Sequence, residues 1–153
     1  MQNQNNEDEL REFLLKHARH PKRVGQLIDA DGTGHCHNPL CGDKITVTFM
    51  VKDQLLKNIS ILPSGCSISI ASASLMTELV EGKSLVEVMD YITAVNENFT
   101  PSAIAHSWPE LLKSLSPLKR IRENPLKIPC TLLCWFAIKK AVEDYQNKAG
   151  ISI

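Results

Sequence analysis

A chain of 153 residues is long enough for one domain with a real core, since a chain of this size buries roughly 68–70% of its unfolded surface. With 43% hydrophobic and 22% charged residues it has the composition of an ordinary globular protein, which excludes collagen-like and coiled-coil chains. Lys+Arg and Asp+Glu both number 17 and aromatics reach only 5%, so neither a nucleic acid nor a membrane surface is expected as partner: the attracting field is missing and stacking platforms are scarce. No apolar run approaches the roughly 20 residues that span a bilayer, and the acidic start through Glu9 carries neither a basic nor an apolar targeting segment. The expected compartment is therefore the cytoplasm, where five cysteines, an odd count, point to metal ligation or thiol chemistry and not to a disulfide framework.

Leu10, Phe13, Leu14 and His17 recur at helical spacing, which predicts an amphipathic helix from about Asp8 to His20, stopped by Pro21 and preceded by a flexible tail over residues 1–7. Gly32, Gly34, Pro39 and Gly42 make Asp29 to Asp43 read as a loop. From Lys44 to Val51 the chain alternates, with Ile45, Val47, Phe49 and Val51 on one face, as a half-buried strand does. A second strand from about Leu56 to Leu62 follows the short polar turn Lys52-Asp53-Gln54, which predicts an antiparallel hairpin. After Cys66 the period changes: Ile68, Ala71, Leu75 and Leu79 share a helical face, with small residues allowing close packing and Gly82 ending the helix. Ser84 with Glu87 forms a capping box for a helix to about Val95. Short helical pieces are expected from Asn96 to Pro125, with starts at Thr100-Pro101 and at Ser107 with Glu110. Pro129 opens a long last helix to about Lys148, with Cys134, Trp135, Ile138, Ala141, Val142 and Tyr145 in one stripe and Gly150 beyond its end. A single domain over residues 1–153 accommodates all of these elements.

Three cysteines fall at boundaries between elements: Cys41 in the loop before the first strand, Cys66 at a helix start, and Cys130 in the first turn of the last helix. Backbone N–H groups at a helix N-terminus favour an anion, so the Cys66 and Cys130 thiols are expected to ionise readily. Asp43, across Gly42 from Cys41, adds a carboxylate oxygen. Three sulfurs and one oxygen suit zinc or the outer ligands of an iron–sulfur cluster. Against this stands the ordinary role of cysteine as a small buried residue, since none lies in a Cys-x-x-Cys pair.

Three separated segments in order, Asn38-Pro39-Leu40-Cys41-Gly42-Asp43, then Gly65-Cys66-Ser67-Ile68-Ser69 through Thr77, then Ile128-Pro129-Cys130-Thr131 through Trp135, resemble the NifU N-terminal (IscU-like) family of iron–sulfur assembly proteins. His20-Pro21-Lys22-Arg23-Val24-Gly25 is similar to the family's short motif after its first helix. The long span between Cys66 and Cys130, and Pro129 where IscU proteins carry histidine, resemble the SufU branch. The resemblance implies an α+β single domain, a small antiparallel β-sheet packed against a helical layer, with a metal site of Cys41, Asp43, Cys66 and Cys130 at one end. It further implies zinc as the resident metal, a cysteine desulfurase of the SufS type as partner, and Cys41 as the catalytic acceptor of persulfide sulfur passed to downstream iron–sulfur assembly proteins. Asp43, the harder donor, is expected to tune ligand exchange. Two other functions use the same residues: a scaffold that builds and transfers a [2Fe–2S] cluster, and a structural zinc module that only binds partners.

Lys127 stands where SufU proteins often have arginine; it keeps the charge but loses the planar fork that grips a carboxylate, which bears on desulfurase coupling. Arg11 stands near where the family often has an early tyrosine. Cys36 and Cys134 match no family ligand. Cys134, on the apolar stripe, reads as packing; Cys36, between His35 and His37, reads as an oxidisable thiol in an exposed loop. His17, His20 and His106 read as a helix face, a helix end and a surface loop. Lys119, Arg120 and Arg122 read as a solvated basic run that an acidic partner could use, and Trp108 and Trp135 as core.

Overall fold

The structure, a computed structural model, describes residues 2–100, 102–103 and 106–152. The elements follow in the order α1 (Gln2–Arg19), β1 (Gly32–His37), β2 (Lys44–Lys52), β3 (Leu55–Ser64), α2 (Ser67–Val80), α3 (Leu85–Asn98), a 3-10 helix (Glu110–Glu123) and α4 (Ile128–Ala149). The strands form one antiparallel sheet in the order β1-β2-β3. Helices α2 and α4 pack on that sheet, α1 packs on α2, and α3 and the 3-10 helix close the far side. This is the expected α+β single domain with a small antiparallel sheet under a helical layer.

The alternation in β2 buries Ile45, Val47 and Phe49, which meet Ile59 and Ile61 of β3 and the stripe of α4. Fully burying side chains of this size contributes roughly 1.5–3 kcal/mol each. Between the strands only Asp53 and Gln54 remain as turn residues, both at positive φ, 54° and 64°, the backbone of a type I′ hairpin. Along the outer edge of β3 the Val24 segment pairs in parallel, with Gly25 N donating to Ile61 O and Ile61 N to Arg23 O.

The segment Asp29 to Asp43, expected to be loop throughout, contains strand β1. Gly32 and Gly34 are not turn residues. A Cβ on Gly34 would stand 2.0 Å from the carbonyl oxygen of Ala137 and 2.6 Å from Ala141 N, and one on Gly32 2.5 Å from Ala141 O. They let the backbone of β1 lie directly against α4. Cys36 is correspondingly not in an exposed loop: it is half-buried, opposite Ile45 in register and packed against the core, while His35 and His37 on the other face stay exposed.

Helix α1 begins at Gln2 and so includes residues expected as a tail. Leu10, Phe13 and Leu14 pack against the core, and the His17 ring lies 4.9 Å from that of Phe13 and shares a hydrogen bond with Ser74 Oγ. Burial, ahead of the opposing Glu78 carboxylate and the like charges of Lys16 and Lys22, holds the His17 pKa below its ordinary value. On α2 the small residues Ala71, Ser72, Ala73 and Ser74 are all buried, and the hydroxyls find partners: Ser72 Oγ donates to Thr131 O and Ser74 Oγ accepts from Lys22 N.

Helix α3 starts with the predicted Ser84 and Glu87 capping box. The start expected at Pro101 lies outside the described residues. Among the described residues Ser107 caps no helix: the 3-10 helix begins after Pro109, whose fixed φ suits that position, and it kinks at Leu112. Arg122 is no part of a solvated basic run. It is 4% exposed, donates to Ala103 O and Lys119 O, and its guanidinium lies 5.1 Å from the centre of the Trp108 ring. Trp108 is half-buried and Trp135 fully buried. Helix α4 carries Pro129 in its first turn and ends at Gly150 in the left-handed region, φ 68°. Among the described residues no helix is long and apolar enough to cross a membrane.

Candidate metal centre

Three separate stretches of chain deliver the site. The connection from β1 to β2 is closed by Asn38, whose N–H donates to Asp43 O, whose carbonyl accepts from Gly42 N, and whose side chain accepts from Leu40 N. Gly42 at φ +77° completes the reversal. The result leaves Cys41 exposed at the tip and turns Asp43 inward until it is 2% exposed. Cys66 arrives at the end of β3 as the residue capping α2, and Cys130 lies within the first turn of α4, 3% exposed.

The ligating atoms of Cys41, Asp43 and Cys130 lie within 4.8 Å of one another. Cys66 stands outside that tight group but adjoins it: its thiol donates to Asp43 Oδ2 at 3.4 Å, and its backbone N–H donates to Oδ1 at 3.0 Å. Zinc with thiolates at about 2.3 Å places tetrahedral donors about 3.8 Å apart, so the Cys41, Asp43 and Cys130 donors, within 4.8 Å of one another, stand near the spacing that one ion needs. By donor chemistry two thiols and a carboxylate, with the Cys66 thiol beside the carboxylate, suit zinc and the outer ligands of an iron–sulfur cluster alike.

Burial by itself would raise the Asp43 pKa. Hydrogen bonds from the Ser69 hydroxyl, the Cys41 thiol and the Cys66 backbone and thiol more than reverse this, and bring it down to about 2. Cys130 behaves contrary to expectation. Although it sits in the first turn of a helix, burial and then the neighbouring Cys66, Asp43 and Cys41 push its pKa up to about 12. Desolvation and nearby negative charge outweigh the helix N-terminus.

Two residues at the centre were not predicted as functional. Ser69, 6% exposed, donates to Asp43 Oδ2 at 2.5 Å and reaches the Cys130 carbonyl oxygen at 3.3 Å. Its signal in the sequence is its place three residues beyond Cys66, on the turn of α2 that faces the site. Gly65 is the other: at φ +148°, a Cβ there would stand 2.1 Å from Asp43 Oδ1. Cys134 lies one turn beyond Cys130 but belongs to the core, sharing a hydrogen bond with Ser72 Oγ and pushed up to about 12 by burial. Lys127 is exposed just before α4.

Residues 9–151 match the family model of the NifU-like N terminal domain. An iron-sulfur cluster assembly scaffold protein IscU 1 from Archaeoglobus fulgidus is 32% identical over 137 residues, covering 90% of this chain and 76% of that protein. The scaffold protein IscU of Aquifex aeolicus is 30% identical over 144 residues, covering 93% and 79%. Among solved structures, the fold is shared with an assembly scaffold protein described for the SUF system of Fervidobacterium islandicum, with TM-score 0.78, 23% identity and coverage of 86% and 94%. It is shared equally with the N-terminal part of a NifU-like protein of Brucella abortus, with TM-score 0.80, 23% identity and coverage of 89% and 93%.

Proposed function

The chain belongs to the NifU-like N terminal domain family, and on that premise we propose that it is an iron–sulfur cluster assembly protein that accepts persulfide sulfur on Cys41, with Asp43, Cys66 and Cys130 as the remaining ligands of a resident zinc ion. The observation that carries this reading is the unequal burial of the donors: Asp43 and Cys130 are buried, whereas Cys41 is exposed on a loop with glycine beside it. A partner's sulfur can reach Cys41 without opening the core. Zinc, when bound, keeps its thiolate ligands deprotonated near neutral pH. In the transfer, the Cys41 thiolate attacks the terminal sulfur of a persulfide on the partner. The S–S bond of that persulfide breaks, its electron pair leaves with the partner's cysteine, which takes up a proton, and Cys41 becomes the persulfide. No net oxidation is required. The partner in this reading is a cysteine desulfurase of the SufS type, and Lys127, exposed near the site, offers it a positive charge.

A second reading is supported by the two relatives at 30–32% identity, which are described as scaffolds: the same four ligands would hold a [2Fe–2S] cluster as cargo. One experiment separates the two. Protein purified without oxygen is analysed for zinc, iron and acid-labile sulfide, alongside Cys41→Ala, Asp43→Ala, Cys66→Ala and Cys130→Ala, and each is then incubated with a desulfurase and cysteine. About one zinc per chain with no sulfide, and persulfide formed on the native chain but not on Cys41→Ala, is the expected result. Iron and sulfide in similar amounts would replace it with the scaffold, and persulfide formation surviving in Cys41→Ala would remove Cys41 as acceptor.

A further inference from the structure

Among the described residues, Ser69 is the one hydroxyl seen against three of the four candidate ligands. Its Oγ lies 2.5 Å from Asp43 Oδ2, 3.3 Å from the Cys130 carbonyl oxygen and 3.5 Å from Cys66 Sγ. It is 6% exposed, so water does not readily replace it. Its single proton is directed to the carboxylate by distance, since an O–H···O⁻ bond of 2.5–2.7 Å is the short, charge-assisted kind. The other carboxylate oxygen is held by Cys66 N–H at 3.0 Å. Asp43 is thereby fixed at both oxygens by the first turn of α2, one hold from backbone and one from side chain. The remaining donor to Oδ2 from that helix is the Cys66 thiol at 3.4 Å, a weak one.

We propose that Ser69 is a positioning residue for the metal: it orients the Asp43 carboxylate, and through it sets metal affinity and the rate at which the fourth ligand position exchanges. The inference rests on the metal-site reading above. Carboxylates that ligate a metal are themselves held by hydrogen bonds, and loss of such a partner typically costs 10–100-fold in metal affinity. Ser69 supplies one such bond, to Oδ2, from a helix whose buried Ser72 and Ser74 hydroxyls are already partnered elsewhere. Because the same hydroxyl abuts Cys66 and the Cys130 carbonyl, it also fixes the spacing between the loop, α2 and α4.

Cobalt(II) serves as probe, read by its thiolate charge-transfer and d–d absorption and by its release rate to a chelator. The native chain, Ser69→Ala, Ser69→Thr, Asp43→Ala and the double variant are compared. Ser69→Ala is expected to bind cobalt 10–100-fold more weakly and release it faster, with shifted d–d bands. Ser69→Thr is expected to restore the native spectrum. In the Asp43→Ala background the Ser69 change should have little further effect, which a general loss of folding would not produce. Native affinity and bands in Ser69→Ala would overturn the proposal, as would an equal loss in the Asp43→Ala background. A native chain that takes up no cobalt would overturn the metal-site reading itself, a result distinct from either.

Discussion

Asp43 is held where it is by what Gly65 lacks. The glycine backbone sits at φ +148°, and any Cβ would come within 2.1 Å of one carboxylate oxygen and 2.9 Å of the Asp43 Cβ. Gly65→Ala must therefore strain the backbone and also displace Asp43 from the Cys66 N–H. Strain of this kind costs about 1–3 kcal/mol, so the variant is expected to unfold at lower denaturant and to retain less metal than the native chain; unchanged stability and stoichiometry would refute this account of Gly65. That Cys41, Asp43 and Cys130 come together was legible because residue type and motif order carry them. Ser69 and Gly65 were not, since a hydroxyl or a missing Cβ signals nothing until the carboxylate it serves is placed beside it. Cys134 was legible by the opposite route, its position on an apolar stripe outweighing its closeness in sequence to Cys130.

At the scale of elements, β2, β3, α2, α3 and α4 follow from patterns internal to each segment: alternation, helical spacing and the Ser84 capping box. Strand β1 does not. Its glycines look like loop punctuation because their reason lies more than a hundred residues away, in the backbone of α4 at Ala137 and Ala141. Arg122 was misread because its partners, Trp108 and the Ala103 carbonyl, come from outside its own helix and not from solvent. Gly34→Ala tests the contact. The added carbon meets backbone atoms at 2.0 and 2.6 Å, which cannot rotate away, so α4 must shift off the sheet. Overpacking typically costs about 1–3 kcal/mol, and the upper end is expected here. Because α4 also carries Cys130, the variant should bind metal more weakly, whereas an added methyl on exposed Gly82, with nothing within 4 Å, should leave metal content unchanged even though its own φ of +83° costs stability.

For the molecule as a whole, the decisive relation is between the core and the site. The core is continuous from Val47, Phe49 and Ile61 of the sheet through Met76 of α2 to Trp135, Ile138 and Val142 of α4, all fully buried. None of these residues is a candidate ligand. The fold thus has its own apolar support, and a metal held by the candidate ligands would close a site beside it. A structural zinc module would behave otherwise: its binding free energy is folding free energy, and chelators denature the domain. Chelated protein is expected to keep its helical circular dichroism and a cooperative thermal transition. Its stability should fall only by the linkage amount, about 2.7 kcal/mol relative to free metal at one hundred times Kd, or roughly 5–10 °C in Tm for a chain of this length. Collapse of the helical signal on chelation would instead make the metal a fold-determining element, and an exposed, exchangeable Cys41 would then be hard to reconcile with the site, because freeing one ligand for sulfur chemistry would also release the fold.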